Sequence, residues 1–352
     1  MLGARPQFIK ASSVSRELLR RGNVQEVIVH TGQHFDRNMS EIFFEELEIP
    51  SPKYNLGINS LSNVAMVGET ITALEPVMVG ENPDIVLVYG DTNATLAGAL
   101  TASYLNIPVA HVEAGLRAGN RAMAEEINRI TTDRLSALNF APNSEALANL
   151  VAEGLEENSQ ITGDVLYDSF LLSLGKLPTS SPPVEPYALM TLHRSENVDH
   201  TSRLSQILEF TQKFSETMRV VWVLHPRLLS RSDGLLDRLR DARIQLENPM
   251  GYLHLLSLLQ SSSMVLTDSG GLQREAHFLG KQCVVLRAES EWNGLSTNGT
   301  SHFFGEFGLT EQIDTIFASG TAQRDLSIQS PGMATKNVVD CIEFHLSSKK
   351  NL

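Results

Sequence analysis

Carboxylate side chains stand at several points where a buried strand is predicted to end or a helix to begin. Asp91 and Glu113 each lie at the end of an apolar run. Glu125 and Glu126 fall in the first turn of a predicted helix, where the helix dipole favours negative charge. An unpaired carboxylate is costly at the end of a strand that is buried on both faces. Carboxylates forced close together tend to differ in pKa, which is the usual basis for acid and base roles. The pattern therefore predicts an acid–base site at one edge of a sheet.

Arg129 gives part of this cluster a simpler interpretation. It follows Glu125 and Glu126 at helical spacing. In the alternative interpretation, one of the two glutamates only forms an ion pair with Arg129 along the helix.

A glycine-rich turn, DSGG at 268–271, follows an apolar run in the second half of the chain and opens a predicted helix. Backbone N–H groups at such a helix start form a ready phosphate site, which points to Ser269, Gly270 and Gly271. The alternative is a plain strand–helix turn with Ser269 as its N-cap. Glu275, about one helical turn later, either reaches ribose hydroxyls or is a solvated helix residue.

Further polar side chains are candidates for binding an anion. His193, followed by Arg194, comes directly after an apolar strand, and the pair suits pyrophosphate through charge-assisted hydrogen bonds. The alternative is a capped histidine. His225 also follows a strand and is the weaker candidate. Its alternative interpretation is a core histidine with no binding role. Arg5 and Lys10 flank the start of the first predicted helix, and they either bind an anionic substrate or lie on the surface.

Alternating strands and helices must position these residues, and that alternation predicts parallel sheets with helices on both faces. The pattern occurs in both halves of the chain, with a Pro- and Ser-rich linker between them. Two doubly wound, Rossmann-like domains facing a central cleft would bring the strand ends around one site, where open α/β sheets bind ligands. We expect an N-terminal domain at 1–165, a connecting helix and linker at 166–186, a C-terminal domain at 187–330, and a C-terminal helix within 331–352 that packs back on the first domain.

The individual elements follow from apolar runs and from turn residues. Strands are predicted at 27–30, 84–89, 108–112, 138–141, 187–192, 219–224, 264–267 and 282–286. Helices are predicted from near Pro6 to Gly22 and at 38–47, 61–79, 94–104, 125–137, 145–153 and 335–347.

Length and composition narrow the class of protein. A chain of 352 residues suits two domains, each able to bury its own core. The net charge of −13 argues against a nucleic-acid partner, which would need a basic face. No apolar run approaches the ~20 residues that span a bilayer. Two cysteines imply no disulfide framework. We expect a cytoplasmic protein with no membrane partner. We also expect it to require no metal and no nicotinamide cofactor, since no metal-ligand motif and no GxGxxG fingerprint occurs.

Eight motifs, in this order, resemble the non-hydrolysing UDP-N-acetylglucosamine 2-epimerases. The likeness extends to about Trp292. The motifs are GARPQFIK (3–10), HTGQH (30–34), GDTNAT (90–95), HVEAGLR (111–117), EEINR (125–129), TGD (162–164), HRSEN (193–197) and TDSGGLQREA (267–276).

The resemblance implies the two-domain GT-B architecture, with UDP bound by the C-terminal domain, and an isomerase that inverts C2 of a UDP-linked acetamido sugar. The implied route eliminates UDP across C1–C2 to give a 2-acetamidoglucal and then adds UDP back. Asp91, Glu113 and Glu125 would be the acid/base and oxocarbenium-stabilising residues. His193 and Arg5 would steady the departing diphosphate.

The remaining substrate contacts that the resemblance implies involve seven residues. The phosphate would be bound by Ser269, Gly270 and Gly271, and the ribose by Glu275. Lys10, Arg117 and His225 are lesser candidates.

The substrate is narrowed to two nucleotide sugars. We place conversion of UDP-N-acetylglucosamine to UDP-N-acetylmannosamine first, as a step in making surface-polysaccharide precursors. GARPQFIKAS (3–12), GDVLYD (163–168) and ESEW (289–292) resemble the branch that acts on UDP-2,3-diacetamido-2,3-dideoxyglucuronate, which is the alternative. The C6 carboxylate of this second sugar would require an additional cation in the site, and Arg117 and Arg287 are the candidates. A GT-B glycosyltransferase and a non-catalytic UDP-sugar binding protein are the alternatives from other classes.

The chain also departs from the family pattern. Only Met1 and Leu2 precede the first glycine, so the first strand is expected to be truncated. Ala124 stands where the family usually has proline, and Gly294 where the diacetamido branch usually has glutamate. The resemblance further suggests a homodimer through helices of the first domain and, in some relatives, a regulatory UDP-sugar site near Gln33.

Overall fold

The computed structural model describes residues 1–32, 41–177, 185–229, 234, 243–287, 292, 301–304 and 332–349. The chain divides into two compact units. The first comprises Met1–Gly175 and Ser327–Leu352, and the second comprises Lys176–Leu326. Each is an α/β unit with parallel strands, as the alternating pattern predicts.

The first unit contains a parallel sheet of four strands in the order β3–β4–β5–β6, and a separate parallel pair, β1–β2. Its strands are β1 (Val29–His30), β2 (Tyr54–Asn55), β3 (Val86–Tyr89), β4 (Val109–Val112), β5 (Leu138–Ala141) and β6 (Ser159–Ile161). Its helices are α1 (Arg5–Arg21), α2 (Glu41–Glu46), α3 (Asn63–Glu81), α4 (Asn93–Tyr104), α5 (Ala124–Leu135), α6 (Ser144–Ala152) and α7 (Val165–Leu174).

A cavity of about 890 Å³ in the first unit is lined by residues of both pieces of sheet. Leu2 forms a parallel bridge with His30, next to β1, while the Met1 amino group donates to the carbonyl of Leu87 in β3 at 3.0 Å. The first two residues therefore lie between β1 and β3. Residues from the facing edges of both strands, including Val29 and Val86, line the cavity.

The second unit is built on a six-stranded parallel sheet in the order β12–β11–β10–β7–β8–β9. The strands are β7 (Tyr187–Leu192), β8 (Arg219–Leu224), β9 (Ile244–Glu247), β10 (Met264–Thr267), β11 (Gln282–Val285) and β12 (Ser301–Phe303). The helices are α8 (Ser195–Val198), α9 (Thr201–Ser215), α10 (Pro226–Leu229), α11 (Tyr252–Ser261) and α12 (Gly270–Phe278). Trp222 and Phe210 are fully buried in its core.

Helix ends follow local sequence signals. Pro6 lies in the first turn of α1, where its missing N–H costs nothing, and Gly22 ends the helix with a positive φ of 68°, as predicted. Ser269 is the N-cap of α12, and its hydroxyl accepts a hydrogen bond from the N–H of Leu272 at 3.4 Å. The capping role considered for Ser269 is thus present in the fold.

The C-terminal helix, α13 (Met333–Lys349), belongs to the first unit and packs against α1 and α7. Arg21 of α1 pairs with Asp340 at 2.6 Å and with Glu343 at 2.8 Å. Asp168 of α7 accepts hydrogen bonds from the N–H groups of Gly332 and Thr335, each at 2.7 Å. These contacts fix the start and the middle of the helix on the first unit.

Within the described part of the chain, no helix is long and apolar enough to cross a membrane. Across the same residues, no group of three or more His, Cys, Asp or Glu is arranged to hold a metal ion. Most of the 177–186 linker, Gly294, and the proposed regulatory region at Gln33 lie outside the described residues.

Candidate functional site

Asp91 lies in the turn between β3 and α4, at the carboxyl end of the first unit's sheet. Its side chain is 28% exposed and pairs with the buried guanidinium of Arg129. The side-chain amide of Asn128 donates to the backbone carbonyl of Asp91 at 2.9 Å. Two residues of α5 therefore hold this turn while the carboxylate stays partly open to solvent.

Glu126 pairs with the other side of the Arg129 guanidinium. Its carboxylate also accepts hydrogen bonds from the N–H groups of Ala118 and Gly119, at 3.0 and 2.9 Å. Glu126 thus forms an ion pair along the helix, and it holds the preceding loop. Glu125 is half-buried in the same first turn, at the positive end of the helix dipole.

Glu113 follows β4 and has a left-handed backbone, with φ of 71°. Residues other than glycine rarely adopt that conformation, and they do so mainly where the surrounding fold enforces it, often at functional sites. The carboxylate forms a buried ion pair with Lys10 of α1. A Cβ atom added at Gly90 would lie 3.1 Å from the Lys10 ammonium and 3.2 Å from the Glu113 carboxylate. This pair therefore sits directly against the turn that carries Asp91.

Behind these carboxylates lies a buried polar network centred on Asp133 of α5. Its carboxylate accepts a hydrogen bond from the N–H of Gly115 at 3.1 Å and lies 2.7 Å from the ring of His111 and 2.7 Å from the guanidinium of Arg117. Burial by itself raises the pKa of Asp133, but the hydrogen bond and charge of His111 and the charge of Arg117 outweigh it, so the net pKa is lowered. Asp133 is therefore an ionised anchor.

Arg117 is held by acidic residues of its own unit. It makes a two-pronged contact with Glu153, at 2.7 and 2.9 Å, besides its contact with Asp133. Arg5, at the start of α1, is half-buried and stacks over the ring of Phe43, 5.1 Å from its centroid. Substrate binding by Arg117 and Arg5 remains a prediction.

In the second unit, Asp268 organises the residues that follow β7. This fully buried carboxylate accepts hydrogen bonds from the backbone N–H groups of His193 and Arg194, at 3.1 and 2.9 Å, and from the amide of Asn197 at 3.0 Å. It also lies 3.0 Å from Nδ1 of His193. Burial by itself raises the pKa of Asp268, but the charge of His193 and these hydrogen bonds hold it far below its usual range.

His193 is oriented by this carboxylate and is 37% exposed, so its ring remains accessible. The ring of His225, which follows β8, lies against it with 5.6 Å between centroids. The two histidines, predicted separately from the ends of two neighbouring strands, therefore lie side by side.

The turn at 268–271 opens α12 with Gly270 and Gly271 as its first two helical residues. The first N–H groups of a helix have no partner within the helix, and they suit an anion. Glu275, 4% exposed, accepts a hydrogen bond from the Tyr252 hydroxyl at 2.8 Å. It is a buried and oriented carboxylate, not the solvated helix residue of the alternative interpretation.

Within each unit, the structure brings several predicted residues together. Lys10 and Glu113 meet beside the turn of Asp91, and His193 and His225 meet beside each other. Asp268, Asp133 and His111 have no predicted role in the sequence pattern. Asp268 and His111 lie within the family motifs at 267–276 and 111–117, which marks them as candidates, whereas nothing in the sequence marks Asp133.

A family model described as UDP-N-acetylglucosamine 2-epimerase matches residues 16–335. The UDP-2,3-diacetamido-2,3-dideoxy-D-glucuronate 2-epimerase of Pseudomonas aeruginosa is 44% identical over 349 residues, 97% of either chain.

Solved structures agree with this likeness. The Methanocaldococcus jannaschii UDP-GlcNAc 2-epimerase, in a crystal structure with UDP-GlcNAc and UDP, superposes with a TM-score of 0.92 at 38% identity, over 97% of this chain and 98% of that one. The Streptomyces nogalater glycosyltransferase SnogD superposes with a TM-score of 0.55 at 10% identity, over 97% and 98%. The second likeness concerns the fold alone, and it agrees with the predicted GT-B class.

Proposed function

The chain belongs to the UDP-N-acetylglucosamine 2-epimerase family, and we propose that it inverts C2 of a UDP-linked 2-acetamido sugar by eliminating and re-adding UDP. The observation that carries this proposal is the grouping of Asp91 and Glu113 with two buried cations at the ends of β3 and β4. Such a site presents carboxylates for proton transfer within a framework of fixed charge.

Elimination is needed because the C2 hydrogen of an acetamido sugar is not acidic enough to be removed while C1 keeps its bond to UDP. In the forward half-reaction a carboxylate accepts the C2 proton, the C1–O bond breaks, and UDP departs with the bonding electrons. A double bond between C1 and C2 remains, giving a 2-acetamidoglucal. In the return half-reaction a proton reaches C2 from the opposite face, and the UDP oxygen bonds to C1 again. No net oxidation occurs.

We assign Asp91, Glu113 and Glu125 to proton transfer and to stabilising the positive charge that develops on the sugar ring. Two of them have a fixed geometry, since Asp91 is held by Arg129 and Glu113 by Lys10. This geometry supports catalysis because a positioned acid or base contributes roughly 10²–10⁴-fold in rate.

We assign the UDP half of the substrate to the second unit. The start of α12 supplies N–H groups of Gly270 and Gly271 for phosphate, with the Ser269 hydroxyl beside them. His193, oriented by Asp268, would steady the departing diphosphate, and Glu275 would bind ribose hydroxyls.

Four further residues complete the proposed substrate contacts. Arg5 and Lys10 would help to balance the charge of the leaving group, and His225 and Arg117 are supporting contacts.

UDP-N-acetylglucosamine is the first proposed substrate, with UDP-N-acetylmannosamine as its product for polysaccharide synthesis. The Methanocaldococcus jannaschii relative, described as a UDP-GlcNAc 2-epimerase, supports it. UDP-2,3-diacetamido-2,3-dideoxyglucuronate is the second, favoured by the 44% identity to the Pseudomonas enzyme over nearly all of both chains. Its C6 carboxylate needs a cation. Arg117 already contacts Asp133 and Glu153, and the buried Arg287 lies 4.0 Å from Glu196.

Incubation with each nucleotide sugar in D₂O tests the reaction and the substrate together. We expect deuterium at C2 and formation of the C2 epimer, with faster turnover of the true substrate. UDP release that requires an added acceptor would indicate a glycosyltransferase instead. Release of UDP and the free epimerised sugar would indicate a hydrolysing enzyme, and the absence of any of these products would indicate a binding protein.

We also propose a cytoplasmic homodimer that associates through α3 and α4. Helix α3 carries Val64 and Val79, 85% and 61% exposed, and Tyr104 at the end of α4 is 81% exposed. Exposed apolar side chains on neighbouring helices favour an interface. Sedimentation equilibrium of the wild type and of a Val64→Glu, Val79→Glu variant tests it, since the variant is expected to be a monomer. A wild-type monomer would contradict the proposal.

A further inference from the structure

His111 is a fully buried residue of β4, and both of its ring nitrogens face oxygen atoms. Nδ1 lies 2.7 Å from a carboxylate oxygen of Asp133, and Nε2 lies 2.7 Å from the backbone carbonyl oxygen of Gly90. A carbonyl oxygen only accepts hydrogen bonds, so Nε2 must carry a hydrogen. A neutral imidazole has one N–H, and Nδ1 could then lack a hydrogen only if Asp133 donated one.

The surroundings of Asp133 argue against that second arrangement. Its other oxygen lies 2.7 Å from the Arg117 guanidinium and 3.1 Å from the N–H of Gly115, both of which are donors. A guanidinium beside a carboxyl group favours its ionised form. Asp133 therefore acts as a carboxylate, and the His111 ring is held between this carboxylate and the Gly90 carbonyl.

His111 links three parts of the first unit. It bonds to α5 through Asp133 and to the turn after β3 through Gly90, while its own strand leads two residues later to Glu113. Gly90 directly precedes Asp91, whose own carbonyl is held by Asn128. The backbone positions of Asp91 and Glu113 are thus tied to one buried ring.

We propose that His111 is a positioning residue whose doubly hydrogen-bonded ring holds the Gly90 carbonyl and thereby sets Asp91 relative to Glu113. This inference rests on the proposed function, because it takes these two carboxylates to be the reacting groups. A misplacement of about 1 Å of a reacting group can cost about 10²-fold in rate, which sets the scale of the expected effect.

Two amide variants separate the two hydrogen bonds of the ring. The nitrogen of Gln stands near the place of Nε2, so His111→Gln keeps a donor to the Gly90 carbonyl. The nitrogen of Asn stands near the place of Nδ1, so His111→Asn keeps a donor to Asp133 and leaves the carbonyl without one. We expect kcat to fall about 10²-fold in His111→Asn but only about tenfold in His111→Gln. We expect KM to be unchanged in both variants, and we expect the two variants to have similar melting temperatures.

Equal losses of kcat in the two variants, or no loss in His111→Asn, would overturn the inference. If the wild-type protein incorporates no solvent deuterium at C2 of either nucleotide sugar, the proposed function itself fails. That result comes from the wild type alone, so it is distinct from a failure of the inference, which is seen by comparing the variants. Nitrogen-15 NMR of the ring in the intact wild type keeps the test open if a variant does not fold. A hydrogen on Nε2 supports the inference, and an Nε2 without a hydrogen contradicts it.

Discussion

Lys10 on the first helix and Glu113 after β4 form a buried ion pair between positions 103 residues apart in the chain. Their side chains are only 7% and 8% exposed. The pair fixes α1 against the end of β4, and it holds the Glu113 carboxylate beside the turn of Asp91. It therefore connects the packing of the first unit with the proposed chemistry.

Breaking this ion pair from one side should destabilise the first unit. Lys10→Met or Glu113→Gln leaves one buried partner without its counter-charge, which costs roughly 3–5 kcal/mol of unfolding free energy. The double variant removes both charges and should be more stable than the sum of the two losses predicts. Urea denaturation of the four proteins measures the coupling, and strictly additive losses would contradict it. Turnover should stay lowered by about 10²–10⁴-fold in the double variant, because Glu113 is still missing.

The three proposed catalytic carboxylates should be separable from UDP binding. Asp91→Asn, Glu113→Gln and Glu125→Gln should each lower turnover by about 10²–10⁴-fold, because each removes a group that moves a proton or stabilises charge. UDP affinity should stay nearly unchanged, since none of these three carboxylates is a proposed UDP contact.

Calorimetric titration with UDP, alongside a turnover assay, checks both expectations. Glu156→Gln is the matched control, because Glu156 is exposed and lies outside the proposed site. Loss of UDP binding in all three variants would remove the catalytic assignment.

The apolar pattern predicts four strands with the bounds that the structure has: Leu138–Ala141, Tyr187–Leu192, Arg219–Leu224 and Met264–Thr267. Strands with neighbours on both sides in a parallel sheet are apolar along their length, so they stand out in a sequence. The pattern does not predict Ser159–Ile161, Ile244–Glu247 or Ser301–Phe303. Each of these is an edge strand that carries polar residues, so its periodicity is weak.

The site is predictable only in part, for a related reason. Motifs indicate which residues bind or react, because strand ends and helix starts are readable from local pattern. The partners that orient them are set by tertiary packing: Asp268 is 75 residues from His193 and Asp133 is 22 from His111. No local spacing rule links such positions.

Asp268 should make the stability of the second unit depend on acidity. Its pKa in the folded protein lies below the ordinary aspartate value of 3.8, so the unfolded chain binds a proton first as the pH falls. The stabilisation is therefore complete above about pH 4 and is lost as the pH falls further. Urea denaturation of the wild type and of Asp268→Asn at several pH values tests this. The difference between the two should shrink on acidification, and a constant difference would contradict the argument.

The cavity between β1 and β3 should accept an additional length of strand. Leu2 already bonds to Val29 and Thr31 of the β1 segment, at 2.9 and 2.8 Å, so an upstream extension would continue in register. A six-residue extension of alternating β-branched apolar and polar residues should raise the melting temperature, because it buries apolar surface at about 25 cal/mol per Å² and pairs both strand edges. A Gly–Ser extension of equal length is the control, since it also displaces the amino group but adds no apolar side chains. Equal melting temperatures for the two extended chains would show that the cavity does not bind a strand.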